Sequence, residues 1–196
     1  KKRLFTEMIR SFIAIELPES MHSSLAEEIS HLRINLPEGA IRWARPAGIH
    51  LTLKFLGNIS ESKLPDIKQL MHRIALQEAP FEFIVGGLGC FPSQHRPRVL
   101  WVGIEDTTGA IMRLQSNLER ELEELGFPTE KRSFHPHLTL GRLRRDADNR
   151  DVAKLLETYK INELGKVRVE EICLFQSDLR PQGAVYSKLV IEMLGR

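Results

Sequence analysis

Cysteine is scarce in this sequence of 196 residues, with only Cys90 and Cys173 present, far apart and outside any CxxC spacing. Their scarcity argues against a disulfide scaffold or a cysteine zinc site and is typical of a reducing compartment. Long hydrophobic runs are missing too, because no apolar stretch approaches the ~18 residues of a membrane span. Residues 1–10 are charged and lack a following signal-peptide core. We therefore expect a cytoplasmic protein without a membrane segment.

An excess of one charge is also missing. The formal net charge is +2, which is too small for a nucleic-acid coat or a polybasic membrane anchor, so any anion must be bound by a local cluster. No low-complexity tract or long linker divides the chain. The length suits one large domain or two small lobes that share a core. We predict a single bilobal domain over residues 8–196, preceded by an extension at residues 1–7.

Strands and helices are mixed along the chain. Apolar runs predict strands, and apolar residues at helical spacing predict helices. The predicted strands cover residues 12–17, 41–43, 49–56, 81–85, 99–104, 137–143, 166–176 and 184–193, and the predicted helices cover residues 19–34, 62–77, 108–125 and 149–159. Gly126 is the predicted stop of the third helix. Several neighbouring strands are joined too tightly for helical crossovers, so we expect an α+β fold with antiparallel sheets.

One internal repeat is present, because the sequence HLTL occurs at residues 50–53 and again at residues 137–140. Each copy lies in a predicted strand that is followed by a predicted helix. With average residue usage, a single HLTL is expected on the order of once in several hundred such chains, and two copies far more rarely. The repeat therefore indicates two related lobes that face one another across a pseudo-twofold axis.

The repeated residues have the chemistry of a phosphodiester site. Residues i and i+2 of a strand share one face, so each histidine lies beside its threonine while the leucines point into a core. If the two strands lie side by side, His50, Thr52, His137 and Thr139 converge. One imidazole can take a proton from water while the other protonates the departing oxygen. The hydroxyls can donate to the non-bridging oxygens, where charge builds up.

Three longer segments resemble a known family, the 2H phosphoesterase superfamily. They are FIAIELPE at residues 12–19, RWARPAGIHLTLKFLG at residues 42–57 and SFHPHLTLGRLR at residues 133–144. Within the superfamily they are most similar to the RNA 2′,3′-cyclic phosphodiesterases, also called 2′-5′ RNA ligases, over nearly the whole chain. The resemblance implies a bilobal fold of two pseudo-symmetric antiparallel sheets, with flanking helices and a central cleft.

The same resemblance implies an activity and its residues. The expected reaction converts a 2′,3′-cyclic phosphate on an RNA end to a 2′-phosphate without a metal or another cofactor. His50 is expected to be the acid that protonates O3′, and His137 the base that activates water. Thr52 and Thr139 are expected to bind the phosphate. RNA is the expected partner, and no obligate protein partner is inferred.

Two further positions follow from the resemblance, each five residues after a histidine. Phe55 is expected to stack on a base, since an aromatic face holds any base. Arg142 is expected to contact phosphate, since a guanidinium matches phosphate oxygens. From the residues alone, Phe55 can equally be a core residue and Arg142 a solvated charge. Trp43 and Trp101 are interpreted as core residues.

Basic residues are concentrated around the second motif. They are Lys131, Arg132, Arg142, Arg144, Arg145 and Arg150, and Arg42 and Arg45 precede the first motif. They either guide an RNA strand by its phosphates or only keep the protein soluble. His135 and His137 have the spacing of a metal pair but lack a clear third ligand, so no metal is expected.

Three other functions remain open. One is a 2H phosphoesterase that acts on a small cyclic nucleotide phosphate, because the same catalytic atoms would serve it. The second is an RNA-binding module without chemistry, although binding alone needs no matched acid and base. The third is reversible 2′-5′ ligation, since one acid–base pair works in both directions.

Overall fold

The computed structural model describes residues 8–145, 147–181 and 183–196. The predicted extension at residues 1–7 lies outside this part of the chain. The strands are β1 Met8–Ile15, β2 Ile41–Trp43, β3 Leu51–Ser60, β4 Phe81–Phe91, β5 Val99–Glu105, β6 His137–Leu143, β7 Gly165–Val169, β8 Glu171–Arg180 and β9 Gly183–Met193. The helices are α1 Glu19–Ile34, α2 Leu64–Ala75, α3 Ala110–Glu124 and α4 Asn149–Thr158, with 3₁₀ turns at Pro46–Gly48 and Glu61–Lys63.

The strands form two sheets in which every pair is antiparallel. Sheet A has the order β3-β1-β8-β9, and sheet B has the order β2-β6-β5-β4-β7. Without β2, the two orders correspond strand for strand, and the HLTL strands β3 and β6 occupy equivalent places. The predicted α+β fold with two pseudo-symmetric antiparallel sheets is therefore confirmed.

The predicted strand at residues 166–176 is wrong. The chain forms two strands there, β7 and β8, with Glu170 between them, and they belong to different sheets. β7 pairs with β4, whereas β8 pairs with β1 and β9. The sequence KVRVEEICLF carries no glycine or proline at the switch, so local pattern gave no sign of it. Tertiary pairing alone decides where one strand ends.

Most of the other predicted helix and strand boundaries differ from the observed ones by a few residues. β4 runs to Phe91, beyond the predicted end at residue 85. The three glycines in this strand are typical of a strand end, and here they do not interrupt the pairing. His50 directly precedes β3 instead of lying inside the strand. The predicted stop of α3 is confirmed. Gly126 has a φ of +85°, and the amide of Phe127 donates to the carbonyl of Leu122 over 3.0 Å, which closes a Schellman motif.

A β-bulge interrupts the first HLTL motif at its second leucine. Thr52 of β3 pairs with Ala14, and Lys54 pairs with the preceding residue Ile13, so Leu53 is the extra residue. Leu53 and Lys54 are consequently buried in succession, at 3% and 6% exposure. The next residue again faces the same side as Thr52.

The second motif has the same bulge. Thr139 of β6 pairs with Trp101, Gly141 pairs with Leu100, and Leu140 is the extra residue. Its burial sequence along the strand repeats that of β3 residue by residue. The equivalence of the two lobes therefore includes an irregularity that the four-letter repeat does not reveal.

The main core is one continuous cluster of buried apolar residues that includes members of both sheets. On β1, Ile13 and Ile15 belong to it, while Phe12 and Ala14 point to the opposite face of sheet A and form a smaller cluster with β8. We call this second side of each sheet the site face. In the described part of the chain, no helix is long and apolar enough to cross a membrane.

Candidate active site

His50 is held by its own backbone and by aromatic rings. Its Nδ1 lies 2.8 Å from the carbonyl of Gly48. A carbonyl can only accept, so Nδ1 carries the proton and Nε2 is the free nitrogen. The ring stacks on Phe12 at 4.5 Å and meets the edge of Tyr186 at 5.2 Å. Burial lowers the pKa of His50 from 6.5 to about 4, the Gly48 carbonyl opposes this effect, and the charge of His22 adds to it.

His137 has an equivalent environment in the other lobe. Its Nδ1 lies 2.6 Å from the carbonyl of His135, again two residues earlier in the chain. Phe91 meets its ring edge-on at 4.9 Å. Burial lowers the pKa of His137, the His135 carbonyl opposes this, and the charges of Arg142 and His135 lower it further. Both histidines are therefore fixed in the same tautomer, with Nε2 available for chemistry.

The two threonines also occupy equivalent positions. Thr52 and Thr139 are both half-buried, and each lies two residues beyond its histidine on the site face. β3 and β6 contact one another although they belong to different sheets. The strands that carry the two motifs thus lie close to one another. The joint catalytic role of the four side chains stays a prediction.

The bulges decide where Phe55 and Arg142 point. Strict alternation would place positions 54 and 141 beside the threonines, but both are buried, and the following residues are exposed instead. Phe55 is 64% exposed and touches Phe12, with 5.8 Å between the ring centroids. The alternative that Phe55 is a core residue is therefore wrong. Arg142 is exposed, and no acidic side chain pairs with it in the described part of the chain.

A shallow pocket lies along the site face of sheet A next to Phe55. Its volume is about 310 Å³, and it is lined by Arg10, Ser11, Phe55, Gly57 and Asn58. That volume is at the lower end of the range for small-molecule sites. The pocket forms an open recess beside the exposed ring of Phe55.

Sequence reasoning missed part of the wall around His50. The sequence places Phe12 only within a predicted strand, and Tyr186 gives no signal because only tertiary pairing brings β9 to the site. Gly48 permits this approach, since a Cβ there would lie 3.3 Å from the Tyr186 ring. Trp101 was expected in the core but lies on the site face, 6.2 Å from the ring of His137. Trp43 does pack against the main core.

The basic residues near the second motif differ in the side chains that lie next to them. Arg150 is paired with Asp148 at 2.6 Å, and the same carboxylate caps the start of α4. Arg42 lies directly opposite Arg142 in the β2–β6 pair. Among the residues that the structure describes, no group of three or more His, Cys, Asp or Glu side chains could hold a metal ion.

Comparison with known proteins places these features in a family. Residues 21–181 match the family described as the 2′-5′ RNA ligase superfamily. The chain is 31% identical to an RNA 2′,3′-cyclic phosphodiesterase of Methanothermobacter thermautotrophicus, over 93% of this chain and 97% of that protein. It is 34% identical to the protein of the same name from Thermotoga maritima, over 92% and 93% of the two chains.

Solved structures give the same result. The crystal structure of TT0787 of Thermus thermophilus superposes with a TM-score of 0.80 at 33% identity, covering 96% of this chain and 100% of that one. The crystal structure of E. coli LigT complexed with 3′-AMP superposes with a TM-score of 0.75 at 28% identity, covering 97% and 100%. The chain therefore belongs to the 2′-5′ RNA ligase superfamily, as its two HLTL motifs predicted.

Proposed function

We propose that this protein is an RNA 2′,3′-cyclic phosphodiesterase that uses His50 and His137 as its acid and base. The observation that carries the proposal is the matched setting of the two imidazoles. Each donates from Nδ1 to the carbonyl two residues earlier and keeps Nε2 free. The names and extents of the relatives support the same activity. The two free cysteines fit a cytoplasmic location.

The proposed reaction is the opening of the cyclic phosphate by water. His137 takes a proton from the water as its oxygen attacks phosphorus. The bond from phosphorus to O3′ breaks, and His50 gives its proton to O3′, which leaves a 2′-phosphate and a 3′-hydroxyl. Thr52 and Thr139 donate to the non-bridging oxygens, and Arg142 neutralises their charge. The reverse use of the same groups, with a 5′-hydroxyl in place of water, would form a 2′-5′ bond.

The acid role of His50 needs help from the substrate. Because burial lowers the pKa of both histidines, both imidazoles are neutral near pH 7 in the free protein. A base is thus ready, while the acid must first gain a proton. The anionic phosphate supplies the opposite charge that raises the pKa of a neighbouring imidazole. These pKa shifts do not distinguish the acid from the base, and that part of the proposal rests on family resemblance.

RNA is the proposed substrate because the relatives are named RNA 2′,3′-cyclic phosphodiesterases, and the exposed ring of Phe55 offers a surface for the terminal base. A base stacked there would contribute roughly 1–3 kcal/mol without sequence preference. The second candidate is a small cyclic nucleotide phosphate, which the recess beside Phe55 would also accept. Replacement of Phe55 by alanine should raise KM for either substrate and leave the fold intact, since the ring is 64% exposed.

The proposal is tested by incubating an RNA oligonucleotide that ends in 2′,3′-cyclic phosphate with the protein in EDTA, followed by mapping of the product. A 2′-phosphate is expected.

His50→Ala and His137→Ala should each slow the reaction by ~10²–10⁴, and the double variant should be little worse, because the pair acts as a unit. His31→Ala, on the exposed face of α1, is the control. A 3′-phosphate product, or activity restored only by a divalent metal, would refute the proposal. RNA binding without hydrolysis would favour a binding module.

A second experiment assigns the two roles. A substrate with an activated leaving group at O3′ needs no acid, so it should rescue His50→Ala but not His137→Ala. Rescue of His137→Ala alone would reverse the assignment.

A further inference from the structure

Arg42 and Arg142 form an unusual pair on the site face of sheet B. They are directly opposed in the antiparallel pair of β2 and β6. Directly opposed residues of such a pair point to the same face, with Cβ atoms roughly 4.5–5.5 Å apart, and like charges there are destabilising. Such an arrangement is expected where an anion, and not a neighbouring side chain, supplies the opposite charge.

Protein groups do not supply that charge within the described part of the chain. Both arginines are exposed, and neither side chain has a hydrogen bond or ion pair to another residue that the structure describes. Arg142 is flanked on its other side by Val99, which is apolar. The carboxylate of Asp148, five residues after the end of β6 in the chain, is already paired with Arg150.

The direction of Arg42 follows from its neighbours on β2. Ile41 and Trp43 pack against the main core, on either side of the space above Gly141. Arg42 lies between them in the strand and therefore points to the opposite face, the one that carries His137 and Arg142. β2 is the edge strand of sheet B, so Arg42 lies one strand to the side of β6, the strand that carries His137 and Arg142.

We propose that Arg42 binds the internucleotide phosphodiester next to the terminal cyclic phosphate, and that it thereby makes the enzyme prefer oligonucleotides to nucleoside 2′,3′-cyclic monophosphates. This inference rests on the proposed function, in which Arg142 contacts the reacting phosphate. Since Arg42 lies beside Arg142 on the edge strand, a bound chain that continues over the β2 edge presents its next phosphate there. A guanidinium is suited to this contact because it forks onto two phosphate oxygens.

The test compares two substrates that share one terminal nucleoside, a pentanucleotide ending in 2′,3′-cyclic phosphate and the nucleoside 2′,3′-cyclic monophosphate. Arg42→Gln should raise KM for the pentanucleotide by roughly tenfold, as expected for loss of a charged hydrogen bond, and leave KM for the mononucleotide within about twofold. The slope of log KM against log salt for the pentanucleotide should fall by about 0.7, the value for one phosphate contact on a single strand.

Arg33→Gln is the matched control, because Arg33 lies over the ring of Trp43 at 5.8 Å. It removes the same charge near β2 but from the face opposite Arg42, so neither KM nor the salt slope should change. An equal rise in KM for both substrates, or no change for either, would overturn the role of Arg42.

Failure of the proposed function would be seen separately. If the wild-type protein hydrolyses neither substrate, binding of a pentanucleotide ending in 2′-phosphate and of the nucleoside 2′-phosphate is measured by titration calorimetry. Arg42→Gln should then weaken binding of the pentanucleotide alone. Equal weakening of both ligands, or of neither, would refute the assignment.

Discussion

At the scale of single residues, burial and backbone contacts determine the chemistry of this site. His50 lies against Phe12, Tyr186 and Phe175, with the Phe175 ring centroid 6.0 Å away. These rings remove water from the imidazole and disfavour its charged form. Placing a charge on His50 in that environment costs free energy in the folded state only. The stability of the protein therefore depends on the protonation of His50.

The first prediction concerns this pH dependence. The pKa of His50 is about 4 in the folded protein and 6.5 ordinarily, so the unfolded chain binds a proton that the folded chain does not. The contribution of neutral His50 to the free energy of unfolding is complete above pH 6.5, and it is lost as the pH falls from 6.5 to about 4. The loss is up to about 3 kcal/mol, at 1.36 kcal/mol per pKa unit.

Urea denaturation between pH 7.5 and 4 measures the effect in the wild-type protein and in His50→Gln, which does not titrate. The difference between their unfolding free energies should change by the amount given, because the other titrating groups contribute equally to both. A difference that stays constant with pH would show that burial of His50 does not disfavour its charge.

The positions of Phe55 and Arg142 show where residue-scale prediction succeeds and fails. The shared face of His50 and Thr52 follows from the period of two in a strand. The step of five residues to Phe55 does not, because it depends on the bulge at Leu53. A bulge is defined by pairing with another strand, and HLTL contains no glycine to mark it. Family resemblance supplied this position, and the structure supplies its physical reason.

At the scale of elements, the bulge in β3 also creates a buried ion pair. It turns Lys54 into the core, where its Nζ lies 2.6 Å from Oε2 of Glu119 on α3 and 2.8 Å from the carbonyl of Pro128. The amide of Glu130 donates to the same Glu119 oxygen over 3.1 Å. The pair thus ties β3 to α3 and to the segment that leads into β6. The strand that follows His50 is thereby connected to the segment that precedes His137.

The second prediction is that Lys54→Met destabilises the protein by about 3 kcal/mol, because it leaves the carboxylate of Glu119 buried without its cation. The side chains of Lys54 and Glu119 are only 5% and 16% exposed. The matched control is Arg73→Met, which breaks the ion pair with Glu121 at a site where Arg73 is 53% exposed. That change should cost less than about 1 kcal/mol. Urea denaturation compares the two, and equal losses would mean that Lys54 is effectively solvated.

The helices were predictable within a few residues because their signals are local. Spacing of apolar residues and the stop at Gly126 are both read from neighbouring positions. The passage from β7 to β8 was not predictable, because both strands read as one extended run. Burial of Lys54 was missed for a similar reason, since its partner Glu119 is distant in sequence. What the sequence leaves open is mostly which distant residues meet.

At the scale of the whole molecule, neither sheet is formed by one continuous segment. The chain places β1 in sheet A, β2 in sheet B and β3 in sheet A again. It then forms β4 to β7 in sheet B before it returns to sheet A with β8 and β9. The main core includes residues of both sheets. The lobes are thus intertwined, and we infer that residues 8–196 fold as one domain.

The last prediction follows from this intertwining. Strands of one sheet alternate along the chain with strands of the other, so neither lobe can form from one continuous segment. Unfolding should therefore be a single cooperative transition. Trp43 and Trp101 are the two tryptophans of the chain, and both lie in sheet B, so tryptophan fluorescence reports on that sheet while far-UV circular dichroism reports on the whole protein. The urea transitions followed by the two signals should coincide in the wild type.

Ile13→Ala, a change at a fully buried position of sheet A, should cost about 2–5 kcal/mol. It should lower both midpoints equally, although no tryptophan lies in that sheet. A fluorescence midpoint unchanged by Ile13→Ala, while the dichroism curve becomes biphasic, would show that the lobes unfold independently.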